Sequence, residues 1–174
     1  MGRIKLHKPV KLITGFIFNK EEYFIKAKKI LEKRFGKVDF ESNLMPFTHT
    51  DYYEKEMGKN LNRKFISFKK LISPKDLPKI KISTNKIELK LSGQSSREIN
   101  IDPGYLDSSK LILASTKDYK HRIYINRGIF GEVTLFYQDK TFHPWEWTYP
   151  DYKTQDYIQI SNQIRQIYML QINI

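Results

Sequence analysis

The apolar residues switch repeatedly between the period of a β-strand and that of an α-helix, and this alternation restricts the fold. Val10–Phe18 is a short apolar, β-branched and aromatic run, which predicts a buried strand. Over residues 24–35 apolar residues recur every three or four positions, which predicts a helix that ends at Gly36. Strands are predicted at residues 38–47 and 63–68. The chain therefore begins with the order strand, helix, strand, strand.

The segment Lys79–Leu91 fits two structures. Ser73-Pro74 is typical of a helix start, and residues at helical steps follow it: Leu77, Ile80, Thr84, Ile87 and Leu91. The same segment also alternates over residues 79–82 and 87–91, with residues 83–86 as the turn of a hairpin. The pattern favours the helix, and the hairpin is the alternative.

The turn signals in the third quarter of the chain predict where a strand ends. Residues 97–101 alternate and lead into Asp102-Pro-Gly104, a combination typical of a turn, so the strand is expected to stop before Asp102. Residues 107–115 predict a short helix, with a strand at Leu111–Leu113 as the alternative.

The end of the chain predicts a hairpin followed by a helix. Residues 121–125 and 129–137 flank the turn Asn126-Arg-Gly128, which is the clearest hairpin signal in the sequence. Thr154 is expected to cap a final amphipathic helix.

The order of these elements predicts an α+β fold. The first six match a βαββαβ (ferredoxin-like) unit, so we expect an antiparallel sheet extended by the C-terminal β-hairpin, with helices mainly on one face. A chain of 174 residues fits a single domain, residues 1–174.

Composition excludes several classes of protein. The chain has no cysteine, which excludes disulfides, thiolate zinc sites and cysteine nucleophiles. Membrane helices need about 18 to 20 apolar residues, and no stretch approaches this length. The first residues also lack the apolar run of a secretion signal. The sequence therefore predicts a cytoplasmic protein with no membrane partner.

The positive charge has two interpretations. The net charge is +12, and residues 1–37 and 59–93 each carry eight more basic than acidic residues. These segments are largely helical in the prediction, so a solvated lysine surface explains the excess without a partner. An anionic ligand or a nucleic acid is the functional interpretation.

Four clusters combine ionisable groups with aromatic and turn residues: Thr50–Tyr53, Asn100–Tyr105, Thr116–Arg122 and Trp147–Tyr152. On these and neighbouring motifs the chain resembles a family of uncharacterised bacterial proteins, domain of unknown function 4416. The motifs that carry the resemblance are Phe35-Gly-Lys-Val-Asp-Phe-Glu-Ser42, Thr50-Asp-Tyr-Tyr53, Asn100-Ile-Asp-Pro-Gly-Tyr-Leu106, Lys117-Asp-Tyr-Lys-His-Arg-Ile-Tyr124, Glu132-Val-Thr-Leu135 and Trp147-Thr-Tyr-Pro-Asp-Tyr152. The resemblance covers nearly the whole chain and implies no activity or catalytic residue.

Four residues are candidates for acid–base chemistry: His121, Asp118, Asp102 and Glu132. Histidine titrates near neutral pH, and Asp118 or another carboxylate would orient its ring. Asp102 would be aimed from the end of a strand, although an Asx-turn explains it equally well. The alternative for Glu132 is a cross-strand ion pair with Arg122. His121 and Arg122 alternate in direction on a strand, so they would share one ligand only across a bulge or bend.

The candidates for ligand binding are Lys117, Arg122, Tyr52 and Tyr105. Arg122 would hold a phosphate or carboxylate as a bidentate pair and Lys117 as a point charge, with tyrosines as walls. No spacing matches a known metal-ligand motif, so no metal site is predicted, and no cofactor is identified. Glycine-rich nucleotide loops and the common hydrolase motifs are absent.

The leading hypothesis is a small protein that binds, and in one version acts on, an anionic ligand such as a nucleotide or a phosphorylated metabolite. The first alternative is an RNA or single-stranded nucleic-acid binding module that uses the lysine-rich helices and the Trp145–Tyr152 aromatics. The second is a non-catalytic protein-interaction domain. The sequence identifies neither an enzymatic reaction nor an oligomeric state.

Overall fold

The computed structural model describes residues 2–93 and 96–173. Within them, nine strands form one sheet: β1 (Lys11–Phe18), β2 (Val38–Glu41), β3 (Met45–Pro46), β4 (Asn62–Phe68), β5 (Ile99–Leu106), β6 (Lys110–Ser115), β7 (Ile123–Asn126), β8 (Ile129–Gln138) and β9 (Thr141–Pro144). The helices of the same residues are α1 (Glu21–Phe35), α2 (Glu54–Met57), α3 (Leu77–Leu91) and α4 (Gln155–Ile172), and 3₁₀ turns lie at Pro74–Asp76 and Pro150–Lys153.

The sheet is antiparallel, with strand order β2-β4-β1-β5-β6-β8-β7. In addition, β3 pairs with β4 and β9 pairs with β8. The predicted α+β class is confirmed, and the β7–β8 hairpin extends the sheet at one end. The narrower description of the first half as ferredoxin-like stays a prediction.

Helices α1 and α3 lie on one face of the sheet, where the helices were mainly expected, but α4 covers the opposite face, which explains why every residue of β1 is buried. Leu12, Phe16 and Phe18 of β1 pack against α1 and α3 in one apolar cluster. Ile13 points to the opposite face, where Tyr157 and Ile164 of α4 belong to a second cluster. Side chains that alternate along a strand point to opposite faces, so one strand contributes to both cores.

The structure decides between helix and strand in the two segments where the sequence fits both. Residues 79–91 are helical, so the helix is confirmed over the hairpin. Residues 110–115 are a strand, so the predicted short helix there is wrong and its alternative is correct. Strand β9 was not predicted, because its hairpin turn uses Asp139 and Lys140 at positive φ rather than a glycine.

The predicted turn at Asp102–Gly104 is wrong, because β5 continues through it to Leu106. Gly15 and Thr14 of β1 pair with Asp102 and Pro103, and this ladder holds the segment extended. Pairing on the neighbouring strand therefore overrides the local turn preference of Asp-Pro-Gly.

Strand β5 pairs with β6 only over Gly104–Leu106, and this partial pairing opens the sheet. The backbone N–H of Ile101 points away from β1, toward the side where β6 pairs. Backbone groups two positions apart on a strand point to the same side, so residue 103 would offer its N–H to β6 as well. Proline has no N–H to donate at that position, so the ladder with β6 ends there. Helix α3 fills the gap: Glu88 accepts a hydrogen bond from the Ile101 N–H at 2.6 Å, and Lys81 donates to the Ile101 carbonyl at 3.2 Å.

Candidate functional site

A cleft of about 1200 Å³ lies beside the gap between β5 and β6. One wall is α3, and another is the end of β6 with the following loop. The remaining sides come from the segments 47–56 and 149–152. Cavities of this size accommodate a small organic ligand.

Arg63 of β4 forms part of the cleft floor, and its side chain is 1% exposed. Its guanidinium carbon lies 4.6 Å from the ring centroid of Phe65, and three further rings surround it at 5.4 to 5.9 Å: Phe47, Tyr152 and Tyr157. Gly15 on β1 leaves room for this group, because a Cβ there would lie 2.9 Å from Arg63 Nη2. Cation–π contacts stabilise the charge inside this aromatic cage.

The Arg63 guanidinium makes few hydrogen bonds for a buried charge. Nη2 donates to the Tyr152 hydroxyl at 2.9 Å, and Asp102 and Asp151 each lie 3.9 Å away, beyond hydrogen-bond distance. Nε is buried and has no partner among the described residues. Since a guanidinium carries five N–H donors, Arg63 retains hydrogen-bonding capacity.

Asp102 connects the floor to the α3 wall. Lys81 Nζ donates to Asp102 Oδ1 at 3.3 Å, and the Asn100 amide donates to Oδ2 at 2.5 Å. Burial raises the pKa of nearby Glu88 to about 7, and the negative charge of Asp102 adds to the rise while Lys81 opposes it. The Glu88 carboxyl therefore titrates close to neutral pH, as acid–base groups in functional sites often do.

The mouth of the cleft is built from segments that are distant in sequence. Lys117 Nζ donates to the Tyr52 hydroxyl at 3.1 Å and lies 4.6 Å from the centroid of that ring. On the α3 side, Arg97 pairs with Glu56 at 2.9 Å and packs against the Tyr53 ring.

Arg122 and Glu132 form a closely bonded pair in the wall opposite α3. Arg122 Nε donates to Glu132 Oε2 at 2.8 Å, and His121 Nε2 lies 3.2 Å from the same oxygen. His121 and Arg122 precede β7 rather than belonging to it, so they do not alternate and both side chains reach Glu132. The predicted Arg122–Glu132 ion pair exists and is buried, with both side chains 3% exposed, but it joins the loop before β7 to β8 rather than two strands.

Five of the eight candidate residues line the cleft: Tyr52, Asp102, Lys117, Arg122 and Glu132. His121 lies behind this wall, against Glu132. Asp118 is exposed outside the lining. Tyr105 also lies elsewhere, packed against the cluster of Leu77, Ala114 and Ile129.

Sequence reasoning missed several polar residues of the floor and the α3 wall: Arg63, Lys81, Glu88 and Asp151. For two of them a signal existed. Lys81 and Glu88 fall within the apolar stripe of α3, beside Ile80 and Ile87, where a solvated charge is not expected. Arg63 lies on the same face of β4 as Phe65 and Ser67, and this mixed pattern gives no comparable signal.

No group of three or more His, Asp or Glu side chains in residues 2–93 and 96–173 is placed to hold a metal ion. No helix in this part of the chain is sufficiently long and apolar to cross a membrane.

Fold and cleft together define an α+β protein with a mixed-charge, tyrosine-rich cleft in an open antiparallel sheet. The family model described as Domain of unknown function (DUF4416) matches residues 8–168, so the chain belongs to that family, as its motifs predict. A search of curated proteins found no match, and a search of solved structures found none either.

Proposed function

We propose that this protein binds a small anionic organic ligand, a nucleotide or a phosphorylated metabolite, in the cleft beside α3. The observation that carries the proposal is Arg63: a buried guanidinium in the cleft floor that has unused N–H donors. Buried polar groups in folded proteins are nearly always hydrogen-bonded, so an unpartnered one in a cleft favours a ligand.

The composition of the walls supports an organic ligand. The tyrosines of the lining include Tyr52, Tyr119 and Tyr149, which present aromatic surface together with hydroxyl groups. Lys81, beside Asp102, and Lys117, beside Tyr52, add ammonium donors to the lining. Apolar surface with a few placed polar groups is typical of small-molecule sites.

The candidate acid–base residues have different roles under this proposal. Asp102 lines the cleft and stays the first candidate to contact a reacting group. Glu132 shares its carboxylate between His121 and Arg122, which favours a positioning role for all three. The binding proposal does not depend on catalysis.

A thermal-shift assay with a cleft-filling variant tests the proposal. Nucleoside phosphates, sugar phosphates and inorganic phosphate are screened against the wild type. A ligand at 100 times its Kd stabilises the protein by about 2.7 kcal/mol, which raises Tm by several degrees. Asn85→Phe places a ring in the cleft from a half-buried position on α3 and should abolish the shift.

The matched control is Lys86→Phe, which adds the same ring at the neighbouring, exposed position outside the lining. It should keep the full ligand-induced shift. If no compound stabilises the wild type, or if Asn85→Phe is stabilised as much as Lys86→Phe, the cleft is not the binding site.

A row of stacked aromatic rings, three of the four exposed, favours a second candidate, single-stranded nucleic acid. The row contains Tyr119, His121, Trp147 and Trp145, whose successive centroids lie 6.0, 6.0 and 5.0 Å apart with nearly parallel planes. Trp145 and Trp147 are 37% and 39% exposed. Aromatic platforms of this kind stack bases without sequence preference.

Two features weigh against this second candidate. The rings of the row face one another, so much of their stacking surface is already used. Helix α1, with its lysines, lies over β1, and strands β5 and β6 separate β1 from β8 at the aromatic row. Two of these lysines, Lys26 and Lys28, already pair with Glu22 and Glu41. A nucleic-acid complex should weaken steeply with salt, whereas a flat salt dependence of oligonucleotide binding would remove this candidate.

A further inference from the structure

Charge is arranged differently at the floor and at the mouth of the cleft. On the floor, the cations Arg63 and Lys81 lie beside the carboxylates of Asp102 and Asp151. At the mouth, Lys55 and Lys117 are exposed, and neither forms a salt bridge within residues 2–93 and 96–173. The floor is therefore nearly balanced in charge, while the mouth has basic groups available.

This difference determines where a phosphate would be stable. A phosphate group carries nearly two negative charges at neutral pH, and the carboxylates of Asp102 and Asp151 would repel it on the floor. Among the residues that the structure describes, Lys117 has only the neutral Tyr52 hydroxyl as a hydrogen-bond partner, so a phosphate at the mouth gains an ammonium donor without displacing an acid.

The floor suits a planar, uncharged polar group. Arg63 and Lys81 supply donors, and Asp102 and Asp151 supply acceptors, within reach of the Phe47 ring. A nucleobase presents donors and acceptors in one plane and stacks on aromatic rings. A sugar phosphate would leave the ring surface of the cleft unused.

We infer that the ligand is a nucleotide that enters base first, with the base toward the floor and the phosphate at the mouth beside Lys117. This inference rests on the proposed function and adds the class of ligand and its orientation. It assigns Lys117 to the phosphate and the Arg63–Asp102 floor to the base.

Calorimetric titration with paired probes tests the orientation. The probes are adenosine and AMP, guanosine and GMP, cytidine and CMP, and uridine and UMP, with inorganic phosphate and ribose 5-phosphate as references. For the pair that binds, the wild type should prefer the monophosphate over the nucleoside by about tenfold, the amount expected for a hydrogen bond to a charged group.

Lys117→Met should remove most of that preference and leave the affinity for the nucleoside unchanged. Lys120→Met, at an exposed lysine outside the lining, is the matched control and should keep the preference. Asn85→Phe should weaken the nucleoside and the monophosphate equally, because it obstructs the part of the cleft that both share.

The possible results distinguish the nucleotide inference from the proposed binding of a small anionic ligand. If a sugar phosphate binds in the cleft and every nucleoside and nucleotide fails, the binding proposal stands and the nucleotide inference is overturned. If Lys117→Met weakens nucleoside and monophosphate to the same extent, or leaves the preference intact, the orientation is wrong. If none of these probes binds, the proposed function fails as well.

Discussion

Arg63 and Arg122 are both buried arginines in the lining of the cleft, yet their guanidinium groups are bonded in different ways. Arg122 donates to Glu132 from Nε, to the Ser115 hydroxyl and the Lys117 carbonyl from Nη1, and to the Tyr149 hydroxyl from Nη2. Arg63 has one such partner among the described residues, the Tyr152 hydroxyl, and is otherwise surrounded by rings.

The difference follows from where each arginine lies. Arg122 comes directly before β7, in a loop whose carbonyl and hydroxyl groups are within its reach. Arg63 lies inside β4, where the strands on either side already use the backbone groups in their ladders. We infer that Arg122 holds the loop 115–122 in place, while Arg63 keeps donors for a ligand.

Neutralising the acid beside each arginine should produce the largest contrast in stability. Glu132→Gln leaves Arg122 buried without its carboxylate, which should reduce the free energy of unfolding by roughly 3 to 5 kcal/mol. Asp151→Asn should cost less than about 1 kcal/mol. Asp151 lies 3.9 Å from Arg63 and forms no hydrogen bond with it, and asparagine keeps the oxygen that accepts from the Tyr152 N–H.

Urea denaturation of both variants measures the contrast, with Asp118→Asn as an exposed control that should lie within about 0.5 kcal/mol of the wild type. Equal losses for Glu132→Gln and Asp151→Asn would show that the two arginines depend on their acids to the same degree. The distinction between a structural arginine and a ligand-binding one would then be lost.

Glu88 gives the Arg63 side of the cleft a pH dependence. Its pKa rises from 4.5 to about 7 on folding, chiefly because the carboxyl is buried. A raised pKa means that the folded protein binds more protons than the unfolded chain between these values. The stabilisation of the fold that this pKa shift provides is fully present below pH 4.5 and is lost as the pH rises through 7.

Glu88→Gln should remove this loss while keeping an oxygen to accept from the Ile101 N–H. From pH 5 to pH 8 the variant should gain about 2.5 kcal/mol of stability relative to the wild type. Thermal unfolding across this range measures the gain. A constant difference between the two proteins at every pH would mean that the Glu88 pKa is the same in the folded and unfolded states.

Much of the fold could be predicted because its signals are local. The helical spacing of apolar residues in α1 and α3 and the glycine turn between β7 and β8 depend on residues close in sequence. The turn predicted at Asp102–Gly104 failed because its outcome depends on β1, which is nearly ninety positions away in the chain. Pairing between distant strands has no local signature in a single sequence.

The site was predictable where short motifs combine ionisable groups with aromatic or turn residues. Lys117, Arg122 and Glu132 come from adjacent motifs, and the structure places all three on the cleft. Arg63 could not be found, because its significance depends on Tyr152 and Asp102, which reach it from other parts of the chain. A single arginine in an alternating strand otherwise indicates a solvated face.

Gly15→Ala tests how tightly the Arg63 cage is packed, with a smaller expected effect. The new Cβ would lie 2.9 Å from Arg63 Nη2 and 3.0 Å from Phe65 Cε1. Because the surrounding rings restrict the movement of the guanidinium, we expect a loss of about 1 to 3 kcal/mol in urea denaturation. The control is Gly131→Ala on β8, near Arg122, where the nearest atom to a Cβ is 3.4 Å away and belongs to the Ile125 side chain. If the two alanine variants are equally stable, the Arg63 guanidinium has room to move, and its unused donors are then available to solvent rather than held for a ligand.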